Sequence, residues 1–143
     1  MIHLIDINPN NWRLGLKVSP EHERYVANSA VMLARAYAYR KQRSRAFLVY
    51  ADETPVGMGL YYDLPDMDCY DFSQLFIDER YQGKGYGKEA TKMILNAMRV
   101  DGKYKKVDLC YIDGNKVAEK LYRSVGFVEI ERDGDEIIME LIL

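Results

Sequence analysis

Residues 72–88, FSQLFIDERYQGKGYGK, place the tightest constraint on the fold. They read as an apolar strand, a short polar bend, and then Gly83, Gly85 and Gly87 alternating with Lys84 and Tyr86. A long amphipathic helical pattern runs out of them. Strand, glycine loop and helix N-terminus, in that order, make a backbone anion site. Glycines expose their N–H groups with no Cβ in the way. The helix start adds unpaired first-turn donors and the positive end of its dipole. A phosphate group suits such a cradle, and a glycine turn without a ligand is the structural alternative.

The spacing excludes two common phosphate sites. The loop of nucleotide hydrolases needs Gly-x-x-x-x-Gly-Lys-Ser/Thr, which is absent. The dinucleotide fingerprint is not matched either, because the three glycines fall on alternate positions and no repeated βαβ unit follows. What the loop does contain is Gln82-x-x-Gly85-x-Gly87.

A chain of 143 residues with 48% hydrophobic and 29% charged content is expected to form one domain with its own core, spanning residues 1–143. No apolar run approaches the roughly 20 residues of a membrane helix. The start, MIHLIDINPNNW, has neither a basic n-region nor a cleavage site, so a cytoplasmic location is expected. Cys69, Cys110, His3 and His22 are isolated, which suggests neither a metal site nor a disulfide framework.

Charge is strongly patterned. Residues 46–79 carry eight acidic and no basic side chains, whereas residues 80–106 carry eight basic and two acidic ones. One reading is a basic end for a polyanionic cofactor and an acidic end for the substrate; alternating solvated faces are the other. Separated basic blocks in a chain of net charge −2 argue against nucleic acid.

Taken in order, residues 2–7 alternate as a first strand. Asn10 or Asn11 can cap a short helix to about Lys17, and Ser19-Pro20 opens another. Asn28 or Ser29 caps a longer helix to about Gln42 with an apolar stripe of Ala30, Leu33, Ala34 and Tyr37, leaving Arg35 on or near the wet side. Residues 46–51 and 56–63 form an antiparallel hairpin, where Gly57 and Gly59 suggest a bulge or close backbone approach. Residues 69–77 form the central strand. A helix from about Gly85 to Arg99 follows, with Ala90, Met93, Ile94, Ala97 and Met98 on one face. Residues 106–112 make a strand, Asn115 caps a helix to about Ser124, and two strands meet at Asp133-Gly134. This order predicts an α/β chain with one mixed sheet and helices on both faces.

Two motifs, YQGKGYG at 81–87 and NKVAEKLYRSVGF at 115–127, together resemble those of the GNAT N-acetyltransferases, and the order of elements extends the resemblance over most of the chain. The stretch LKVSPEHERYVANSAVMLARAY is similar to the N-terminal part of bacterial spermine/spermidine (diamine) acetyltransferases. The resemblance implies the acyl-CoA N-acyltransferase fold, with a mixed, mostly antiparallel sheet of about six to seven strands. It implies acetyl-CoA as cosubstrate, no metal, and a small amine acceptor such as spermidine or spermine. A protein N-terminus, a lysine or another amine metabolite is the alternative acceptor, and a non-catalytic acyl-CoA sensor the alternative class.

Carried over position by position, the resemblance puts the pantetheine arm on the backbone of Leu75, Phe76 and Ile77, beside a bulge. It puts the pyrophosphate on Gln82, Gly83, Lys84, Gly85, Tyr86, Gly87 and Lys88. Asn115 matches the asparagine near the pantetheine, with a plain N-cap as the other reading. Tyr122 matches the general acid, although its face with Ala118, Leu121 and Val125 also fits ordinary core. Ser73 stands where several polyamine-acetylating relatives carry glutamate, so the proton acceptor is open: a water chain to Asp71, to an acid of the 63–68 loop, or to Glu23, or selection of the neutral fraction of the amine. Glu23, Asp71 and Gln74 are the candidate acceptor-side residues. Members of the family are often dimers, and the apolar strand EIIMELIL could pair across an edge into a homodimer or lie inside the sheet.

Overall fold

The computed structural model describes all residues 1–143. One seven-stranded sheet runs through the molecule in the order β1-β2-β3-β4-β5-β7-β6. Its strands are β1 (Ile2–Asp6), β2 (Arg45–Ala51), β3 (Thr54–Leu64), β4 (Cys69–Ile77), β5 (Lys106–Ile112), β6 (Val128–Asp133) and β7 (Glu136–Ile142). Every neighbouring pair is antiparallel except β4–β5, which is parallel. The helices are α1 (Ser29–Ala38), α2 (Tyr86–Asp101) and α3 (Lys116–Ser124).

Two apolar clusters sandwich the sheet. On one face α2 and α3 pack Ala90, Ile94, Leu95, Met98 and Tyr122 against Phe47, Tyr70, Phe72, Val107 and Leu109. On the other, Met32 of α1 and Leu16 meet Leu48, Met58, Leu60, Tyr62 and Phe76. Each fully buried large side chain contributes about 1.5–3 kcal/mol. Alternation along each strand sends neighbouring residues to opposite faces, which separates Phe72 from Phe76 once the bulge between them is counted.

The strands follow the sequence reading closely, and the front of the chain departs from it. Residues 9–26 form turns and irregular backbone, with no helix. The N-terminal capping chemistry is spent on local turns: Asn11 accepts from the Asn8 N–H at 2.8 Å and donates to the Asp6 carbonyl at 3.0 Å. Ser19 and His22 close a similar turn at 2.9 Å. α1 is capped by Asn28, as expected, and ends at Ala38, with a short 3-10 turn over Arg40–Gln42. Its buried stripe is Met32 with Leu33 and Ala36; Ala30 and Ala34 are exposed and Tyr37 is 69% exposed. The long aliphatic Met32 outcompetes the alanines for the sheet, and that rotation turns Arg35 from the wet side towards Ser73, whose hydroxyl accepts its Nη1 at 3.2 Å. In α2, Thr91 and Leu95 replace Met93 in the buried set.

Gly57 and Gly59 mark close approach. A Cβ on Gly57 would collide with the Phe76 carbonyl, and one on Gly59 would lie 2.5 Å from the Phe47 ring. Asp63 lies buried in an ion cluster, with Arg43 Nε at 2.7 Å and Lys103 Nζ at 3.1 Å. β7 is an interior strand, held by β5 and β6, so the two edges of the sheet are β1 and β6.

Candidate active site

The parallel pair β4–β5 registers at two positions only, Tyr70↔Val107 and Asp71↔Asp108. Beyond them the strands diverge. Just there, β3 and β4 slip by one residue: Leu60 pairs with Gln74 and Tyr61 with Phe72, leaving Ser73 unpaired as a bulge. A bulge bends its strand and increases the local twist, which opens the wedge. From Gln74 to Ile77, β4 keeps its ladder to β3 on one side and presents a free edge to the gap on the other.

That gap is a cleft of about 610 Å³. Leu75, Phe76 and Ile77 form one wall, α3 from Asn115 to Tyr122 another, and the glycine loop its end. Asp78 fixes the loop's root. Its 1%-exposed carboxylate accepts from Arg80 N and Nε, both at 2.9 Å, and from the Lys17 N–H at 3.0 Å. These bonds to Arg80 lower its pKa to about 2, against the opposing effect of burial. Gln82 Nε2 donates to the Ile77 carbonyl at 3.1 Å, tying loop to strand.

Gly83 and Gly85 sit at φ +78° and +83°, the left-handed region that glycine favours. Gly85 is the N-cap of α2 and offers no side-chain cap, so the first-turn N–H groups are open to an anion. Gly87 has ordinary φ, and a Cβ there would meet only Leu121 at 3.6 Å and Ile77 at 3.7 Å. Gln82, Gly83, Gly85, Tyr86, Gly87 and Lys88 line the cleft, whereas Lys84 is exposed and does not. Open backbone donors, glycines without obstruction and a free strand edge fit a phosphate-bearing, amide-containing cosubstrate such as acetyl-CoA.

A second cavity of about 50 Å³ adjoins the first, with Leu75, Asn115, Ala118, Tyr122 and Val26 common to both. Ser73, Gln74, Tyr25 and Cys110 are among the residues that complete it. Tyr122 therefore stands at the junction. It is 9% exposed, with Phe72 and Phe127 edge-on at 5.8 and 5.7 Å. Those rings fix its plane, and burial raises the phenol well above its usual pKa, keeping it protonated. Asn115 is both cap and wall: its Oδ1 accepts from Ala118 N at 3.2 Å, and the residue faces both cavities.

Among the acceptor-side candidates, Gln74 lines the small cavity. Asp71 is half-buried on the same strand and lines neither space, and Glu23 is exposed and lines neither. Its neighbour His22 lines the main cleft with Val18 and Val26. The sequence reading passed over those three, and outside a regular element their spacing carried no signal of a shared face.

A sheet prised open between two parallel strands, above a glycine loop and a bare helix N-terminus, defines an acyl-CoA-dependent acyltransferase. The Acetyltransferase (GNAT) family pattern matches residues 7–127, and the chain belongs to that family as an acetyl-CoA-dependent N-acetyltransferase. The spermine/spermidine N(1)-acetyltransferase of Bacillus subtilis (strain 168) is 29% identical over 138 residues, 89% of this chain and 88% of the relative. An acetyltransferase from Thermus thermophilus superposes with a TM-score of 0.81 at 18% identity, over 99% of this chain and 97% of the other. Spermidine N-acetyltransferase from Vibrio cholerae, solved with CoA and spermine, gives 0.79 at 19% identity, over 99% and 95%.

Proposed function

We propose that the chain moves an acetyl group from acetyl-CoA to a primary amine of a polyamine such as spermidine or spermine, by direct attack, with Tyr122 as general acid. The position of Tyr122 where the two cavities meet carries this reading. The backbone of Leu75–Ile77 holds the pantetheine arm as a sheet edge holds a peptide. Residues 82–88 receive the pyrophosphate, with Lys84 near it only as a distant charge. Asn115 orients the arm through its uncommitted amide nitrogen.

The amine enters by the small cavity past Ser73 and Gln74. Its nitrogen forms a bond to the acetyl carbon as the C–S bond breaks, and the departing sulfur takes the phenolic proton of Tyr122. Burial holds that phenol protonated, so a proton donor is in place at the junction when the thiolate departs. The names of the similar proteins support a polyamine acceptor.

Two observations favour a second acceptor, a lysine, a protein N-terminus or another amine metabolite. Asp63 is already neutralised by Arg43 and Lys103, and the cationic Arg35 lies against Ser73. CoA release from acetyl-CoA across polyamines, lysine peptides and amino sugars separates them. Release with spermidine and not with peptides is the expected result. Release with peptides alone would move the acceptor to protein, and binding of acetyl-CoA without release with any amine would leave a sensor.

A further inference from the structure

Resting on the acetyltransfer reading, the structure points to the proton acceptor that the bulge at Ser73 leaves open. Asp71 and Asp108 are the last registered pair before β4 and β5 diverge, so two carboxylates leave neighbouring positions on one face of the sheet at the apex of the wedge. Asp108 is 5% exposed, and neither of its oxygens has a hydrogen-bond partner within bonding distance. The next residues on the same strands and face, Ser73 and Cys110, line the small cavity. Tyr62 of β3 is registered with Asp71, and its hydroxyl interacts with both Asp71 and Ser73. We propose that Asp71 and Asp108 form a proton-accepting pair at the apex of the splay, coupled to the acceptor amine through the Ser73 and Tyr62 hydroxyls.

The surroundings suit one proton shared between two acids. The groups facing the pair are Tyr62 from β3, Cys69 from β4, Lys106 and Cys110 from β5, Glu140 from β7 and Arg35 from α1. Lys106 and Arg35 favour the charged forms, and Glu140, across the strand from Asp108, opposes them. Burial, as the largest effect, pushes Asp71 up to about 6, with the Tyr62 and Arg35 interactions opposing it. Burial raises Asp108 too, followed by Glu140. Glu140 acts on Asp108 more strongly than Asp71 does, so Asp108 takes up its proton in steps coupled to both neighbouring acids.

The balance of the step is simple. An ammonium of the acceptor, with an ordinary pKa of about 10, gives one proton to the ionised carboxylate by way of the hydroxyls, leaving a neutral amine and a carboxylic acid. The amine lone pair then forms the C–N bond while the C–S electrons go to sulfur. Sulfur takes the Tyr122 proton, the second nitrogen proton restores the phenol, and the pair returns its proton to water.

The test is kcat/KM against pH for the full chain, using whichever amine the wild type acetylates. Wild type is expected to hold a plateau from about pH 6 to about pH 10, where the acceptor ammonium loses its proton in solution. Asp71→Asn and Asp108→Asn are each expected to fall about 10³-fold at pH 7. Their rates should then rise by one decade per pH unit, closing the gap near pH 10, with acetyl-CoA affinity unchanged. Deficits equal at every pH, or rates equal to wild type, overturn the pair. If the Asn variants do not fold, the wild-type profile decides: a steady rise of one decade per unit from pH 6 to 9 overturns it, because only the neutral amine is then being selected. Wild-type turnover only with amines other than polyamines removes the polyamine reading while the pH test proceeds. No turnover with any amine removes both.

Discussion

The cleft that ends in the glycine loop and the small cavity meet at Tyr122, yet they are held by different parts of the covalent structure. The loop side is backbone: a free strand edge at Leu75–Ile77, two left-handed glycines and a helix start with no side-chain cap. The acceptor side is side chains drawn from distant stretches, with Tyr25 and Val26 from the front segment, Ser73 and Gln74 from β4, Cys110 from β5 and Tyr122 from α3. Backbone sites depend on where glycines fall along a short run. Side-chain cavities depend on which elements pack together, so they tolerate substitution in kind and can change substrate without changing the fold.

The largest expected effect comes from the residue the two sides share. Tyr122→Phe keeps both edge-on aromatic contacts and loses only the hydroxyl. We expect kcat to fall by about 10²-fold or more, with acetyl-CoA affinity within about twofold of wild type. Steady-state kinetics beside equilibrium binding checks this, and unchanged turnover across pH would remove the acid role.

The backbone character of the loop side is tested by a matched pair. Gly85 and Gly102 both lie at positive φ, at the two ends of α2, and neither has an obstructing atom close to an added Cβ. Alanine should cost each about 1–2 kcal/mol of backbone strain and lower Tm similarly. Only Gly85→Ala should raise KM for acetyl-CoA, by about tenfold, because it distorts the cradle. Equal KM values for the two variants would mean that the loop does not seat the cosubstrate.

Asp78 ties the front segment to the loop through the Lys17 N–H, so its loss should slacken both sides. Because Arg80 lowers its pKa to about 2 in the folded state, its stabilisation is complete above the ordinary carboxylate value and is lost as pH falls through about 2. Asp78→Asn should therefore be less stable than wild type by about 1–2 kcal/mol at pH 7, with the difference vanishing below pH 2. Urea unfolding across pH measures it. The smallest effect is expected at Lys84. It is exposed and outside the cleft wall, so Lys84→Ala should raise KM for acetyl-CoA by no more than about twofold, and less at high salt.

The same contrast explains what the sequence disclosed. The central strand, the glycine loop and the Asn115-capped helix were legible because local rules decide them: period-2 apolarity, left-handed glycines and a capping asparagine. They brought with them the cleft wall from Leu75 to Lys88 and the position of Tyr122. Residues 9–26 were misread because Asn11 and Ser19 can cap a helix or close a turn with equal ease, and packing of Leu16 against the sheet chose the turn. The stripe of α1 was misassigned because several small residues competed with one Met32. The apposition of Asp71 and Asp108 was not visible at all, since it depends on a parallel register between strands that lie on either side of α2 in the chain.

Amide hydrogen exchange of the full chain with and without acetyl-CoA tests the backbone seat most directly. Protection should rise at Leu75–Ile77 on the free edge of β4 and at residues 83–88 of the loop and first turn of α2. The interior strand β7, already paired on both sides, should not change. Saturating acetyl-CoA that left residues 75–77 and 83–88 exchanging as before would contradict a cosubstrate held in the splay.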